Sequence, residues 1–415
     1  MEGTGEQYRW LVGDEAAAVL CEYQHLATDP LKAVESLRRE LSPALAAMVC
    51  EQMELRLRAT RKFAMADRMF FTRHGLEQST GEVVARYKAA RFDFADGIVD
   101  LCCGIGGDLL SLASRAAPDA GHRLVVGVDR DPVSSLFARS NSDNVGRAAR
   151  IETMEVSAFD LTAFDAWHID PDRRPDGRRT TSLEHSEPSL SVLDDLIDRN
   201  NNAAIKLAPA TTVPDHWQRE AQLEWISWNR ECRQQIAWFG RLAQSSDGQG
   251  AGRRRATCLS SDGQHHTSVV GEAGTEHIVT STVGRYVYDP DPAVLAADLC
   301  GVLAAQCGLS TLGTDAMYLT GDQFLTNQPL TCFEVTEVVP GDLRQIKRLF
   351  NERDLRQVVI KKRGVPNEFA DQVRNLKTKG AKGDRDATLI LAQPQDRIIA
   401  ILARRIAREG QIPSN

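Results

Sequence analysis

The feature that most constrains this chain is the stretch at residues 100–108, DLCCGIGGD, set between a short apolar run, GIVDLCC, and a helical pattern, DLLSLASRA. Glycines at such a place let the backbone turn tightly and approach a ligand, and a helix N-terminus offers free amide donors. The turn therefore predicts a strand, a ligand-cradling loop and a helix in succession. The same rhythm continues through HRLVVGVDR, PVSSLFARSNSDN and RIETMEV, and further strands are expected at AWHID, AAIKLAP, LEWISW, RRATCLS and TSVVG. Alternating strands and helices of this kind form parallel β-α-β units. The fold class expected for the middle of the chain is α/β, with a nucleotide-like ligand at the turn.

The turn departs from the dinucleotide fingerprint. Leu109 stands where a third glycine is expected, Asp100 ends the strand, and Asp108 closes the loop. A dinucleotide brings an anionic pyrophosphate that these acids would repel. S-adenosylmethionine brings a sulfonium and an ammonium, which they suit. Asp129, in VVGVDRDP, ends the second strand, where a carboxylate accepts both hydrogen bonds of a ribose diol. Asp170, Pro171, Asp172, Arg173 and Arg174 follow the fourth strand, where an acceptor would meet the cofactor. Asp170 is the candidate to orient the acceptor or take its proton. Arg173 and Arg174, with Arg178 and Arg179, are candidates to clamp phosphate or carboxylate groups. Lys206, at the end of the next strand, would face the same pocket. The second proline and aromatic of base-amine methylating motifs are missing, which weakens an adenine-N6 or guanine-N2 assignment. No cysteine falls near the fourth or fifth strand end, and the histidines show no metal-ligand spacing, so neither a cysteine nucleophile nor a metal is expected.

DLCCGIGGD, VVGVDRDP and the D-P-x-R-R motif at residues 170–174, in this order, resemble class I S-adenosylmethionine-dependent methyltransferases. With TRHGLEQST before them and VVIKKRGV near the end, the chain is most similar to the bacterial group that carries a C-terminal THUMP-like domain. The resemblance implies a seven-stranded Rossmann-like fold, Gly104 and Gly106 beside the cofactor, Asp129 on its ribose, and an acid near Asp160 at the adenine end. The backbone around Ser157 or Ala158 is an equal alternative for that last contact.

Residues 1–95 show apolar positions at three- and four-residue spacing and are expected to be helical, with Ser79 and Glu82 as a capping box. Residues 96–282 form the expected catalytic domain, residues 283–340 a small α+β, ferredoxin-like piece, and residues 341–415 a basic THUMP-like domain. That last segment holds 17 Lys and Arg against 9 Asp and Glu, while the rest holds 33 against 48. An acidic body with a basic terminal module suits an enzyme that holds a polyanion. The candidate phosphate contacts are Lys361, Lys362 and Arg363 at a strand end, and Lys377, Lys379 and Lys382 in a turn. The THUMP-like resemblance makes structured RNA the implied partner. The expected location is cytoplasmic, since the opening residues form no basic-then-apolar leader, no run approaches a membrane span, and the nine cysteines form no C-x-x-C pair. Two other readings fit the same residues: a small-molecule or protein methyltransferase with a structural tail, and a non-catalytic RNA-binding protein that retains the fold.

Overall fold

A computed structural model of the chain describes residues 5–114, 123–172, 183–244, 250–313, 317–326, 328–355, 358–376 and 387–406. The chain divides into two compact units, Met1–Gln222 with Gln235–Gly252, and Leu223–Gln234 with Arg253–Asn415.

The first unit opens with the expected helices. Pro30–Leu37 and Pro43–Ala59 each begin with proline behind a capping side chain, Asp29 and Ser42, which accept from Lys32 N–H and Leu45 N–H. Leu37, Val49 and Met53 from these helices, with Leu20 from the preceding helix Asp14–Tyr23, share one buried cluster with Phe71, Ile105 and Phe137. Between Ala59 and the next α-helix, Arg73–Gln78, the chain passes through Phe70 and Phe71, and two buried amides replace a strand partner. Gln52 donates to Phe71 O (2.6 Å) and accepts from Phe71 N–H (3.0 Å), and Asn141 does the same for Phe70 (3.1 and 2.6 Å). Asn141 also donates to Ile105 O at 2.9 Å, which ties this segment to the glycine turn. The Ser79 and Glu82 capping box does not form. Gly81 is the N-cap of Glu82–Ala89, and Glu82 instead accepts from Ala64 N–H at 2.9 Å, while the Ser79 hydroxyl donates back to Leu76 O.

Five parallel strands follow: β1 (Gly97–Leu101), β2 (Leu124–Asp129), β3 (Arg150–Thr153), β4 (Ala166–Ile169) and β5 (Ala203–Leu207). They lie in the order β3-β2-β1-β4-β5. Every residue of β1 and β5 is buried, as in a parallel sheet covered on both faces. The chain continues through β6 (Gln222–Trp228) and β7 (Glu231–Trp238), joined by Asn229 and Arg230, both at positive φ (52° and 59°) as in a tight hairpin turn. Residues 235–238 of β7 return antiparallel along β5. The order reverses direction between β1 and β4, and in open α/β sheets the ligand crevice lies at that point, beyond the carboxyl ends of the strands.

In the second unit β8 (Arg254–Leu259) runs parallel to β6, and β9 (His266–Gly271) pairs antiparallel with β8. A separate sheet contains β10 (Val279–Thr280), β11 (Tyr286–Pro290), β12 (Ser310–Leu312), β13 (Leu319–Gly321), β14 (Leu330–Pro340), β15 (Val359–Lys362), β16 (Ala387–Ala392) and β17 (Ile399–Arg405), ordered β10-β12-β13-β11-β14-β17-β16-β15. YVYDP is β11; the proline-opened helix after it is Pro292–Ala296, and Asp298 at φ 57° breaks it from Cys300–Cys307. Helices Leu343–Glu352 and Asn367–Arg374 bury Ile346, Leu349 and Ala370 with Leu389, Leu391 and Leu402 of the sheet. Among the described residues no helix is long and apolar enough to cross a membrane.

Candidate functional site

The glycine turn leaves β1 through backbone conformations that side chains resist. Cys102, Gly104 and Gly106 have φ of 52°, 55° and 93°. A Cβ on Gly104 would meet no atom within 4 Å, so space is open there; the left-handed backbone is the reason for glycine, and its absent side chain leaves the turn accessible. Cys103 N–H bonds to Val128 O at 3.0 Å and fixes the turn against β2. Burial pushes the thiols of Cys102 and Cys103 well up, so both stay protonated.

Asp129, at the end of β2, accepts Gly104 N–H through Oδ2 at 2.8 Å and Asp131 N–H through Oδ1 at 2.9 Å. Burial raises its pKa, and the two amides oppose that rise. Two of its acceptor sites remain for a ligand.

A cavity of about 990 Å³ opens at the carboxyl ends of β1, β2, β3 and β4. It brings together Gly104, Asp129, Asp170 and Pro171 of the expected site residues, with Glu155, Val156 and Ser157 beyond β3. Asp170 forms an ion pair with Lys206, whose ammonium also donates to Gln78 O at 3.1 Å. The Lys206 side chain is 7% exposed and Asp170 23%, so Lys206 underlies the cavity floor and Asp170 faces it. Arg130 and Glu187, both exposed, pair at its rim.

The other expected residues lie elsewhere. Gly106 shapes the turn and does not line the cavity; Asp160 is exposed, and its carboxylate accepts from Thr162 N–H (2.9 Å) and Thr162 hydroxyl (2.8 Å). Asp100 and Asp108 are buried behind the turn. Asp108 pairs with Lys88 at 2.7 Å, and Asp100 takes a 2.7 Å hydrogen bond from His168. Burial works against the Asp108 charge, but Lys88, His168 and Lys206 outweigh it and hold the carboxyl below the usual range. Burial raises Asp100 and lowers Lys88. Arg173, Arg174, Arg178, Arg179, Lys377, Lys379 and Lys382 lie outside the described residues.

In the second unit, Lys361 and Arg363 turn inward. Asp289, only 4% exposed in its side chain, receives Lys361 Nζ at 2.8 Å and Arg363 Nη2 at 2.7 Å, with Arg230 at 3.5 Å. Burial works to raise the Asp289 pKa, and Arg363 and Lys361 outweigh it and hold it low. Lys362 bonds to Asn367 Oδ1 and to Val365 O (3.2 Å) within its own loop.

Sequence reasoning missed two contributors. The TRHGLEQST segment supplies cavity wall through Thr72, Arg73, His74, Gly75, Gln78 and Ser79. Lys88 and His168 were passed over, although a lysine beside Val84, Ala85 and Ala89 on one buried helix stripe, and a histidine in a buried strand, are the signals that could have found them. Among the described residues no group of His, Cys, Asp and Glu side chains could hold a metal ion.

Residues 330–405 match the family described as THUMP domain-like, and residues 5–59 match a Domain of unknown function (DUF8688). Two proteins, from two strains of Mycobacterium tuberculosis, are each described as an uncharacterized S-adenosylmethionine-dependent methyltransferase. Each is 31% identical over 315 residues, covering 75% of this chain and 82% of the relative. A crystal structure of a Porphyromonas gingivalis protein assigned as a methyltransferase shares the fold, with a TM-score of 0.74 at 19% identity over 95% of this chain and 99% of that one.

Proposed function

The chain belongs to the S-adenosylmethionine-dependent methyltransferases, and from that premise we propose that it methylates RNA, with its basic C-terminal segment docking the substrate. S-adenosylmethionine is its cofactor. The residues present fit it: a carboxylate with free acceptor sites at the end of β2 and an open glycine turn, both on the cavity wall. The described cavity wall also holds Asp131, Glu155, Asp170 and Asp172, which favours a cation and disfavours a diphosphate.

When bound, the cofactor supplies an activated methyl group, so alignment carries most of the acceleration. Asp129 would hold the ribose hydroxyls, Gly104 would admit the methionine portion, and the backbone near Ser157 would serve the adenine end. Asp170, aimed by its ion pair with Lys206, orients the acceptor and receives its proton at a carboxylate oxygen where the acceptor is nitrogen or oxygen. Arg173 and Arg174 are assigned to acceptor phosphates. The observation that carries the reading is the single cavity joining Gly104 and Asp129 to Asp170.

RNA is favoured as acceptor by the THUMP domain-like match and by the excess of cations in residues 341–415. The test is calorimetric titration of the ligand-stripped chain with S-adenosylmethionine, S-adenosylhomocysteine and NAD, followed by radiolabelled methyl transfer to total cellular RNA. Binding of the two sulfur ligands without NAD, with label entering RNA, supports the proposal. Binding without label in RNA moves the acceptor to a protein or small molecule, and absence of binding leaves a non-catalytic RNA-binding protein.

A further inference from the structure

Four ionisable side chains meet behind the glycine turn. Lys88 from helix Glu82–Ala89, Asp100 from β1, Asp108 from the turn and His168 from β4 are 2%, 1%, 7% and 1% exposed. His168 Nδ1 lies 2.7 Å from Asp100 Oδ1, and its Nε2 lies 3.2 Å from Lys88 Nζ. Lys88 Nζ lies 2.7 Å from Asp108 Oδ1, while Asp108 Oδ2 accepts the Thr80 hydroxyl at 2.7 Å and sits 3.8 Å from His168 Nε2. Donor chemistry places the protons. A carboxylate only accepts, so Nδ1 carries the hydrogen; an ammonium only donates, so Nε2 presents its lone pair. With Lys88 as the ammonium and both aspartates as carboxylates, these contacts require a neutral imidazole, and the cluster then holds one cation and two anions.

A lysine on that buried helix stripe is not explained by packing, since an apolar chain would fill the same space. Among the described residues its ammonium contacts Asp108 and His168. The other buried ammonium nearby, Lys206, is committed to Asp170 and Gln78 O.

We propose that Lys88 is a positioning residue for cofactor binding, holding Asp100 and Asp108 ionised behind the glycine turn and His168 as the neutral Nδ1–H tautomer. The proposal rests on the methyltransferase reading and makes the helix before β1 part of the cofactor site. Asp100 precedes the glycine turn and Asp108 closes it, so the cluster ties both ends of that turn to helix Glu82–Ala89 and to β4. The charged and polar groups facing His168 are Lys88, Asp100, Asp108 and Thr80, with Lys206 and Asp170 acting through Lys88. Without Lys88 the imidazole sits between two carboxylates and takes up the missing proton, and the cofactor's cation then competes with an imidazolium.

The first test is nitrogen-15 NMR of the full chain, the His168 signal being assigned by its loss in His168→Gln. The expected spectrum is the neutral Nδ1–H form throughout about pH 6 to 8; an imidazolium or an Nε2–H tautomer overturns the proposal. The second is S-adenosylmethionine affinity against pH. Wild type and Lys88→Arg should be flat across that range, while Lys88→Met tightens with rising pH by up to about tenfold per unit. A folded Lys88→Met protein with wild-type affinity and a flat profile overturns it. If Lys88→Met does not fold, the NMR result decides alone. Wild type failing to bind S-adenosylmethionine would sink the methyltransferase reading and leave the tautomer assignment separately testable.

Discussion

Asp129→Asn is the substitution whose effect is best defined by the geometry. The carboxylate uses one oxygen on Gly104 N–H at 2.8 Å and the other on Asp131 N–H at 2.9 Å, leaving one further acceptor site on each oxygen for a ribose hydroxyl. An asparagine has the same shape but one accepting oxygen. If that oxygen stays on Gly104, the new NH2 group faces the Asp131 N–H, and one ribose hydroxyl loses its acceptor. A hydrogen bond to a charged group contributes about 1.5–3 kcal/mol, so affinity should fall roughly 10- to 150-fold. S-adenosylmethionine and S-adenosylhomocysteine share the ribose, so both should weaken by the same factor. The assay is calorimetric titration of both ligands, with circular dichroism and thermal melting to confirm the fold. A folded variant whose dissociation constants stay within about twofold of wild type would remove Asp129 from the ribose. A selective loss of one ligand would place the carboxylate at the sulfur instead.

Lys206→Met leaves Asp170 without its buried partner; methyl transfer should fall about 10²-fold while cofactor affinity barely moves, because only acceptor alignment is lost. Single-turnover rates alongside cofactor titrations check this. Asp289→Asn removes the carboxylate shared by Lys361 and Arg363, which are 34% and 27% exposed. Discounting a buried-pair loss for that exposure gives about 2–3 kcal/mol and a melting point lower by roughly 5–10 °C, read by calorimetry. Asp289 has a depressed pKa, so its stabilisation is full above the usual aspartate value near 4 and is lost as pH falls through the lower folded value. Wild type should therefore lose this increment on acidification and Asp289→Asn should not. Lys362→Glu should lower RNA affinity and reduce the salt slope by about 2, since it removes one cation and adds one anion. Lys361→Glu should act first on melting temperature, and a large change in salt slope without one would contradict the inward placement.

The parallel strands were legible because their residues are locally consistent: apolar runs such as GIVDL and LVVGVD end in an acid or a glycine turn, and each signal fits inside one element. Asp129 was legible for the same reason, being a carboxylate at a strand end. ECRQQIAW was not, because β7 buries Gln234 and Gln235 and breaks the apolar pattern that marks a strand. Lys88 and His168 were hidden by distance along the chain. His168 meets Asp100 because β4 lies beside β1 in a register that pairs those two positions, and neither strand order nor register can be read from either segment alone.

The basic tail shows the same limit in a quantity that looks safe to count. Formal charge treats Lys361, Lys362 and Arg363 alike, yet two of them are held by an aspartate that lies 72 and 74 residues earlier, outside the segment being counted. Asp289 cancels one unit of the segment's excess and turns two of its cations inward. Most of the excess remains, so the charge argument for a polyanion survives while its location moves. The docking hypothesis then depends on Lys362, whose partners among the described residues are neutral oxygens of its own loop and no carboxylate, together with the lysines at 377 and 379.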